Sequence, residues 1–263
     1  MTEIKLIPGG VCAAQGFTGS GIHCGIRKNR TKRDLALILS SVPASAAAVY
    51  TTNLVKGAPL EVTKKHLADG KARAVICNSG NANTCNADGI EIAEETCALL
   101  AKELGIAAED VIVASTGVIG QRMSIEPFKT GIPPLCAALG KNSEDVAEAI
   151  MTTDTRLKEV AVEFTAGGKT CKLGGIAKGS GMIHPNMATM LVFITTDCAI
   201  SPEMLQKALS ADVQNTFNMI SVDGDTSTND MVAVMANGLA GNAEITCEGA
   251  DYEAFCEALH EIT

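Results

Sequence analysis

The order of elements along the chain predicts a layered α+β protein, on three observations. Strand-like and helix-like segments follow one another irregularly rather than as a βαβ series. Many of the strands are joined by short turns rich in glycine, asparagine and aspartate. Apolar residues make up 46% of 263 residues, enough to bury a sizeable core in one large domain or two smaller ones.

The first seventy residues read as extended structure. Residues 34–40 and 46–52 are strand-like, joined through Pro43 and preceded by the basic stretch 27–33, which reads as a solvated loop, with an anion site as the lesser alternative. Residues 71–77 form a further strand that empties into the turn-rich segment 78–89. Residues 90–104 have helical spacing, with Gly105 placed to stop the helix. A strand at 111–114 follows, then a helix over 125–139 interrupted at Pro133-Pro134. Ser143 is placed to cap a helix over 143–151.

Residues 158–165 alternate as a strand, and Gly167-Gly168-Lys169 is a hairpin turn into 170–173. Residues 190–194 are a short buried strand. Ser201-Pro202 opens a helix, 231–236 and 243–247 are strands, and 251–262 is a closing helix.

Composition narrows the function. A net charge of −9 argues against nucleic-acid and anionic-membrane partners. No apolar run reaches membrane-span length, and the start, Met-Thr-Glu-Ile-Lys-Leu, lacks signal-peptide character, so a cytoplasmic protein is expected. Ten cysteines contain no Cys-x-x-Cys pair and no histidine cluster lies near them, so reduced thiols and no metal are expected. The acidic segment 223–230 fails as a calcium loop, with Gly224 at its second position and Val234 where a bidentate glutamate is needed.

The chemistry points to residues 178–196. Gly179 and Gly181 loosen the backbone, Pro185 keeps His184 out of the helical region, and Thr189 stands where loop becomes buried strand. If its hydroxyl attacked the carbonyl of Ala188 and the bond broke, Thr189 would gain a free amine of ordinary pKa about 7.7–8.0. Such an amine serves as base to its own hydroxyl, and His184 becomes unnecessary. The plain alternative is an unreactive threonine at a strand edge. Thr116 and Gly117, at the end of the strand 111–114, offer a hydroxyl and an unobstructed N–H to a developing oxyanion, or simply a turn. Lys178 is a cation beside this region, or a solvated side chain. Asp154 reads as the cap of the turn it starts.

The segment Lys178-Gly-Ser-Gly-Met-Ile-His-Pro-Asn-Met-Ala-Thr-Met-Leu resembles the self-cleavage site of the ornithine acetyltransferases, the bifunctional acetyltransferases of arginine biosynthesis. Pro8-Gly-Gly, Val42-Pro-Ala-Ser-Ala-Ala-Ala, Asn78-Ser-Gly-Asn-Ala-Asn, Ala114-Ser-Thr-Gly-Val-Ile-Gly, Met151-Thr-Thr-Asp-Thr and Asp223-Gly-Asp-Thr-Ser-Thr-Asn-Asp resemble the same family, in its order. The resemblance implies an αββα-type sandwich similar to N-terminal-nucleophile hydrolases, with part of a second, smaller domain on the C-terminal side. It implies an α segment, 1–188, and the start of a β segment, 189–263, separated by cleavage between Ala188 and Thr189. Thr189 is then the nucleophile, Thr116 and Gly117 the oxyanion hole, and Thr153, Lys178 and Thr189 the substrate-binding residues, with Thr152 an ambiguity beside Thr153.

The implied reaction carries acetyl from N-acetylornithine to glutamate through an acetyl-threonine. It needs no cofactor, and acetyl-CoA as co-substrate is left open. The implied assembly is a heterotetramer of two α and two β chains. The alternatives are an amidohydrolase or aminopeptidase, in which water resolves the acyl-enzyme, and a silent remnant. The family continues past His260-Glu-Ile-Thr, through a glycine-flanked acidic motif and C-terminal polar residues that complete the substrate pocket. A fragment, or a gene that has lost its end, is therefore expected.

Overall fold

Residues 35–50 are apolar or small almost throughout, and they form one strand, β3 (Leu35–Tyr50), where two were expected. Pro43 lies inside it, in the stretch between Leu39 and Ala44 where the register with β4 (Lys71–Asn81) shifts. An irregularity of that kind is where a residue without an N–H can sit in a strand. The computed structural model describes residues 3–182 and 190–263.

The first part of β3 pairs with β2 (Phe17–Ile22) and β4, and its last residues pair with β9 (Met231–Ala236). The same strand thus serves two groups. One continues through β4 to its parallel neighbour β5 (Val111–Val118). The other runs from β9 through β8 (Leu191–Thr196), β7 (Lys169–Lys178) and β6 (Lys158–Ala166) to β1 (Lys5–Ile7).

The two groups share a buried core, and the alternation of side chains along each strand shows how. Ile38, Val75 and Ile112 from one group meet Phe193, Met231 and Met235 from the other. The helix α4 (Ser143–Ile150) adds Val146 and Ile150 to this middle layer. The neighbouring positions Leu37, Ile76 and Val113 face outward onto α2 (Gly89–Leu104) and α3 (Glu126–Ala137). On the opposite outside, Phe164, Val192 and Val234 pack against α5 (Pro202–Asn215) and α6 (Ala250–Ile262). The result is helix, sheet, sheet, helix, the layered α+β arrangement expected.

The smaller C-terminal-side domain has no separate core among the described residues. After residue 189 the chain supplies β8, α5, β9 and α6 to this same body, with β8 and β9 inside the sheet.

Several elements form as read. Gly105, at φ 67°, closes α2. Gly167 and Gly168, at φ 54° and 69°, turn β6 into β7 with both central residues left-handed, as a tight hairpin demands. Ser201 Oγ accepts from Met204 N at 3.3 Å to cap α5.

Others differ. The extended reading of the first seventy residues misses α1 (Ala58–His66), a short helix that opens with Pro59 in its first turn. Its Thr63 hydroxyl accepts from Val113 N at 2.9 Å and donates to Val113 O at 2.7 Å, so the helix covers the edge of β5. The helix α3 runs unbroken through Pro133 and Pro134, because Phe128, Ile132 and Leu135 on its buried face pack into one cluster across the prolines. Ser143 does not cap α4; its Oγ accepts from Val11 N at 3.2 Å. Residues 243–247 form no strand, and Ile245 makes an isolated bridge to Ile200.

All ten cysteines are free thiols. Among the described residues, no cluster of histidine, cysteine or acidic side chains is arranged to hold a metal, and no helix is long and apolar enough to cross a membrane.

Phe193, 1% exposed in the middle layer, is a test of this packing. Phe193→Ala is expected to cost about 3–5 kcal/mol in denaturant unfolding. Leu54→Ala, at a side chain 99% exposed, should stay within about 0.5 kcal/mol.

Candidate active site

The strands β4 and β5 run parallel and finish together, with Ser79 opposite Thr116 and Gly80 opposite Gly117. At this end the backbones come so close that a side chain is excluded. A Cβ on Gly117, whose φ is +133°, would stand 2.3 Å from the carbonyl carbon of Gly80. Thr116 and Gly117 open onto a cavity of about 820 Å³, which is also lined by Thr152, Thr153 and Lys178. Thr116, Gly117, Thr153 and Lys178, singled out in the sequence, therefore share one cavity. Ala188 and Thr189, and His184 with them, lie outside the described residues.

Lys178 ends β7 and is 4% exposed. Its Nζ donates to Thr116 Oγ1 at 3.1 Å. A hydroxyl that accepts from an ammonium keeps its own proton to give elsewhere, and gives it more readily. Burial lowers the pKa of Lys178, against the opposing pull of Asp154 and Asp230. Its partner in the β7–β8 ladder is Leu191, so Met190, the residue after position 189, enters the fold next to the end of β7.

Asp154 does not cap the turn that follows it; instead it ties that turn back to Thr152 before it and across to the end of β7. Its carboxylate accepts from Gly179 N at 2.8 Å, Thr152 N at 3.3 Å and Lys158 Nζ at 2.6 Å. Burial pushes its pKa up, but these three donors outweigh it and hold the group below the ordinary range. Thr153 Oγ1 lies 2.7 Å from Ser180 Oγ. Thr152 lines the cavity as well, so the ambiguity between the two threonines persists.

Several wall residues were not found by sequence reasoning. Arg27, Lys28 and Asn29 belong to the basic stretch read as a solvated loop, yet they line the cavity. Gly80 and Ala82 come from the turn-rich segment 78–89, and Ser227, Thr228 and Asn229 from the acidic segment 223–230. The asparagines do tie turns: Asn78 Nδ2 donates to Asn81 O at 2.9 Å, and Asn83 Nδ2 to Gly89 O at 2.8 Å. Asn229 binds three segments at once. Its Nδ2 donates to Ala82 O at 2.6 Å and Ser115 O at 3.0 Å, while its Oδ1 accepts from Thr84 Oγ1 and Thr228 Oγ1, both at 2.6 Å. The available signal was polar composition at strand ends, which does not by itself say which ends converge.

Asp230, 2% exposed, immediately precedes β9. Burial raises its carboxyl from the ordinary 3.8 to about 8, opposed by the Ser227 hydroxyl, the Met190 N–H and the Lys178 charge. Its Oδ2 has no hydrogen-bond partner among the described residues. A cation, a hydroxyl donor and a weakly acidic carboxyl thus surround the point where the chain returns to the sheet. The set suits acyl transfer, which develops negative charge on oxygen and moves one proton at a time.

Comparisons with known proteins agree with this chemistry. The model of the ArgJ family matches residues 18–263. The arginine biosynthesis bifunctional protein ArgJ of Symbiobacterium thermophilum is 51% identical over 259 residues, which are 97% of this chain and 64% of that protein. Its counterpart in Geobacillus kaustophilus is 50% identical over 96% of this chain and 62% of its own length. The chain spans a little under two thirds of the length of these relatives. Among solved structures, ArgJ of Bacillus halodurans superposes with a TM-score of 0.67 at 40% identity, covering 73% of this chain and all of the matched one. The Mycobacterium tuberculosis ornithine acetyltransferase complexed with ornithine gives 0.64 at 33% identity, over 72% of this chain and all of the matched one. An aminopeptidase of Ochrobactrum anthropi, described as a variant of the Ntn hydrolase fold, gives 0.59 at 14% identity over 97% of this chain, a likeness of fold alone.

The carboxyl of Asp230 supplies a pH test. Held neutral in the fold up to about pH 8 but ionising near 4 when unfolded, it contributes stability that is full at low pH and is lost as pH rises through about 8. Asp230→Asn removes that dependence. Between pH values of about 5 and 8 the natural protein should lose stability relative to the variant, by at most about 1.4 kcal/mol per pH unit. A constant difference across that range, measured by denaturant unfolding, would count against a buried neutral carboxyl.

Proposed function

The chain belongs to the ArgJ family, and on that premise we propose that it carries the acetyl-transfer centre of a glutamate N-acetyltransferase. The convergence of Thr116, Gly117, Thr153 and Lys178 on one cavity, beside the place where Met190 re-enters the sheet, is the observation that supports it. Thr189 Oγ first adds to the Ala188 carbonyl, the C–N bond between the two residues breaks to leave an ester and the free Thr189 amine, and water then hydrolyses the ester to the Ala188 carboxylate and the Thr189 hydroxyl. That amine then takes the hydroxyl proton as Thr189 Oγ adds to the acetyl carbonyl of N-acetylornithine. Thr116 and Gly117 stabilise the oxyanion, the C–N bond breaks, and ornithine leaves with the proton. The amine of glutamate attacks the acetyl ester in turn, the C–O bond breaks, and N-acetylglutamate departs as Thr189 is restored.

Processing yields residues 1–188 and a second piece starting at 189. Both matched family structures are covered completely by just under three quarters of this chain, close to the fraction that precedes residue 189. A cut there would not release the second piece. It contributes β8 and β9 between β7 and β3, so the pieces share one sheet, and pairs of them form the heterotetramer we propose. Ten free thiols suit the reducing cytoplasm in which we place the enzyme. No cofactor enters the scheme, and acetyl-CoA is an alternative donor to the same hydroxyl. Identities of 33–51% to acetyltransferases of arginine biosynthesis favour transfer to glutamate over hydrolysis by water, since the likeness to an aminopeptidase is one of fold.

Intact mass spectrometry of the full-length protein tests the reading. Two co-eluting fragments meeting at Ala188–Thr189 are expected, with an acetyl increment on the second after incubation with N-acetylornithine or, if it is a donor, acetyl-CoA. Thr189→Ala should stay whole and transfer nothing. Thr116→Ala, losing one oxyanion donor, should slow acetylation roughly 100- to 1,000-fold. A whole, active Thr189→Ala protein would sink the mechanism.

A further inference from the structure

The charge on the cavity wall is at odds with the charge on the chain. The sequence carries −9, yet the described residues around the cavity include Arg27, Lys28 and Lys178 and no aspartate or glutamate. Arg27 is the one whose setting is built. Its stem crosses Gly80, where a Cβ would stand 2.7 Å from Arg27 Cγ, and Gly80 is the ladder partner of Gly117. The two absent side chains let the arginine lie one strand away from the candidate oxyanion hole. Arg27 and Lys178 line the same cavity.

Nothing among the described residues neutralises that guanidinium directly. It donates to the Met151 carbonyl, forms no ion pair, and leaves Nε without a hydrogen-bond partner. The nearby carboxylates are engaged elsewhere. Asp34 accepts from the backbone N–H groups of Cys24, Gly25 and Arg27 and pairs with His23, and Asp154 holds Gly179, Thr152 and Lys158. A half-buried guanidinium in this state, on a cavity with no acid among its described lining residues, is suited to a carboxylate, which it can grip with two parallel N–H donors.

We propose that Arg27 is a specificity-determining residue that binds the side-chain carboxylate of the acceptor, while Lys178 holds the carboxylate at its α-carbon. The proposal rests on the acetyl-transfer reading above and adds to it the feature that tells acceptor from donor. Glutamate brings two carboxylates and one amine. Ornithine brings one carboxylate and two amines, and nothing on the described wall favours a second ammonium. Lys28, exposed at the rim, adds to the same field without ordering the ligand.

The test uses the two acceptors against each other on the full-length, processed protein. Acetyl-enzyme is made with N-acetylornithine, freed of ornithine, and chased with either glutamate or ornithine while loss of the acetyl increment is timed. In Arg27→Gln the preference for glutamate over ornithine should fall roughly 10- to 100-fold, the effect of removing one charge-assisted carboxylate contact. Arg27→Lys, which keeps the charge but loses the fork, should recover part of it. Lys28→Glu, a rim exchange that leaves the interior alone, should shift the preference the same way, by roughly three- to tenfold. Equal slowing with both acceptors in Arg27→Gln would put the guanidinium on the shared α-carboxylate or on the fold, and unchanged rates with both would put it on neither. Either result overturns the proposal. An unsubstituted protein that forms no acetyl-enzyme brings down the parent reading, and this one with it.

Discussion

A lysine ammonium taken almost wholly out of water is the constraint around which this end of the molecule is built. An isolated buried charge is prohibitively costly, so the surroundings of Lys178 have to compensate it. They do so with the Thr116 hydroxyl from β5 and the carboxylate of Asp154 after α4, with Asp230 before β9 close by as a weak acid. None of the three is idle otherwise. Asp154 organises the turn at Gly179, and Asp230 stands beside Met190 at the head of β8. Holding one cation therefore fixes the ends of β5, β7, β8 and β9 relative to one another. The groups that make the ammonium tolerable are also those that an acyl-transfer centre needs within reach.

The sheet gives the cavity its rigidity. A strand shared by two groups, β3, lets one core be filled from both sides, and the outer faces are sealed by helices. The segment after residue 189 is threaded into the middle of this arrangement, not appended to it. Backbone continuity between positions 188 and 189 is accordingly not what keeps the two parts together. Ladder hydrogen bonds on both flanks of β8 and a close-packed core on each of its faces serve that purpose. A fold of this kind tolerates a broken peptide bond before β8.

The glycine pair at the ends of β4 and β5 works on a finer scale. Parallel strands normally hold their side chains clear of one another, but Gly80 and Gly117 bring main chain against main chain and leave the top of the sheet bare. That surface is covered on one side by the stem of Arg27 and on the other by the loop that Asn229 binds down. The wall of the cavity thus comes from segments far apart in sequence, each held by backbone hydrogen bonds or close packing.

Local patterns alone were enough for the elements whose signals are local. The stop at Gly105, the two left-handed glycines after β6 and the serine cap of α5 are decided within a few residues, by conformations that only those side chains permit or favour. The family motifs singled out Thr116, Gly117, Thr153 and Lys178, but that the four share one cavity is seen only in the fold. Tertiary structure decided the rest. Whether 35–50 is one strand or two depends on β4 and β9 lying on its flanks, and whether α3 survives two prolines depends on the core beneath it. The surroundings of Arg27, Asp230 and Asn229 depend on segments some 30 to 200 positions apart meeting at one end of a sheet. Burial, the loss of water and the approach of other charges set the behaviour of those side chains. These are properties of the packed interior, and a one-dimensional string of residues does not contain them.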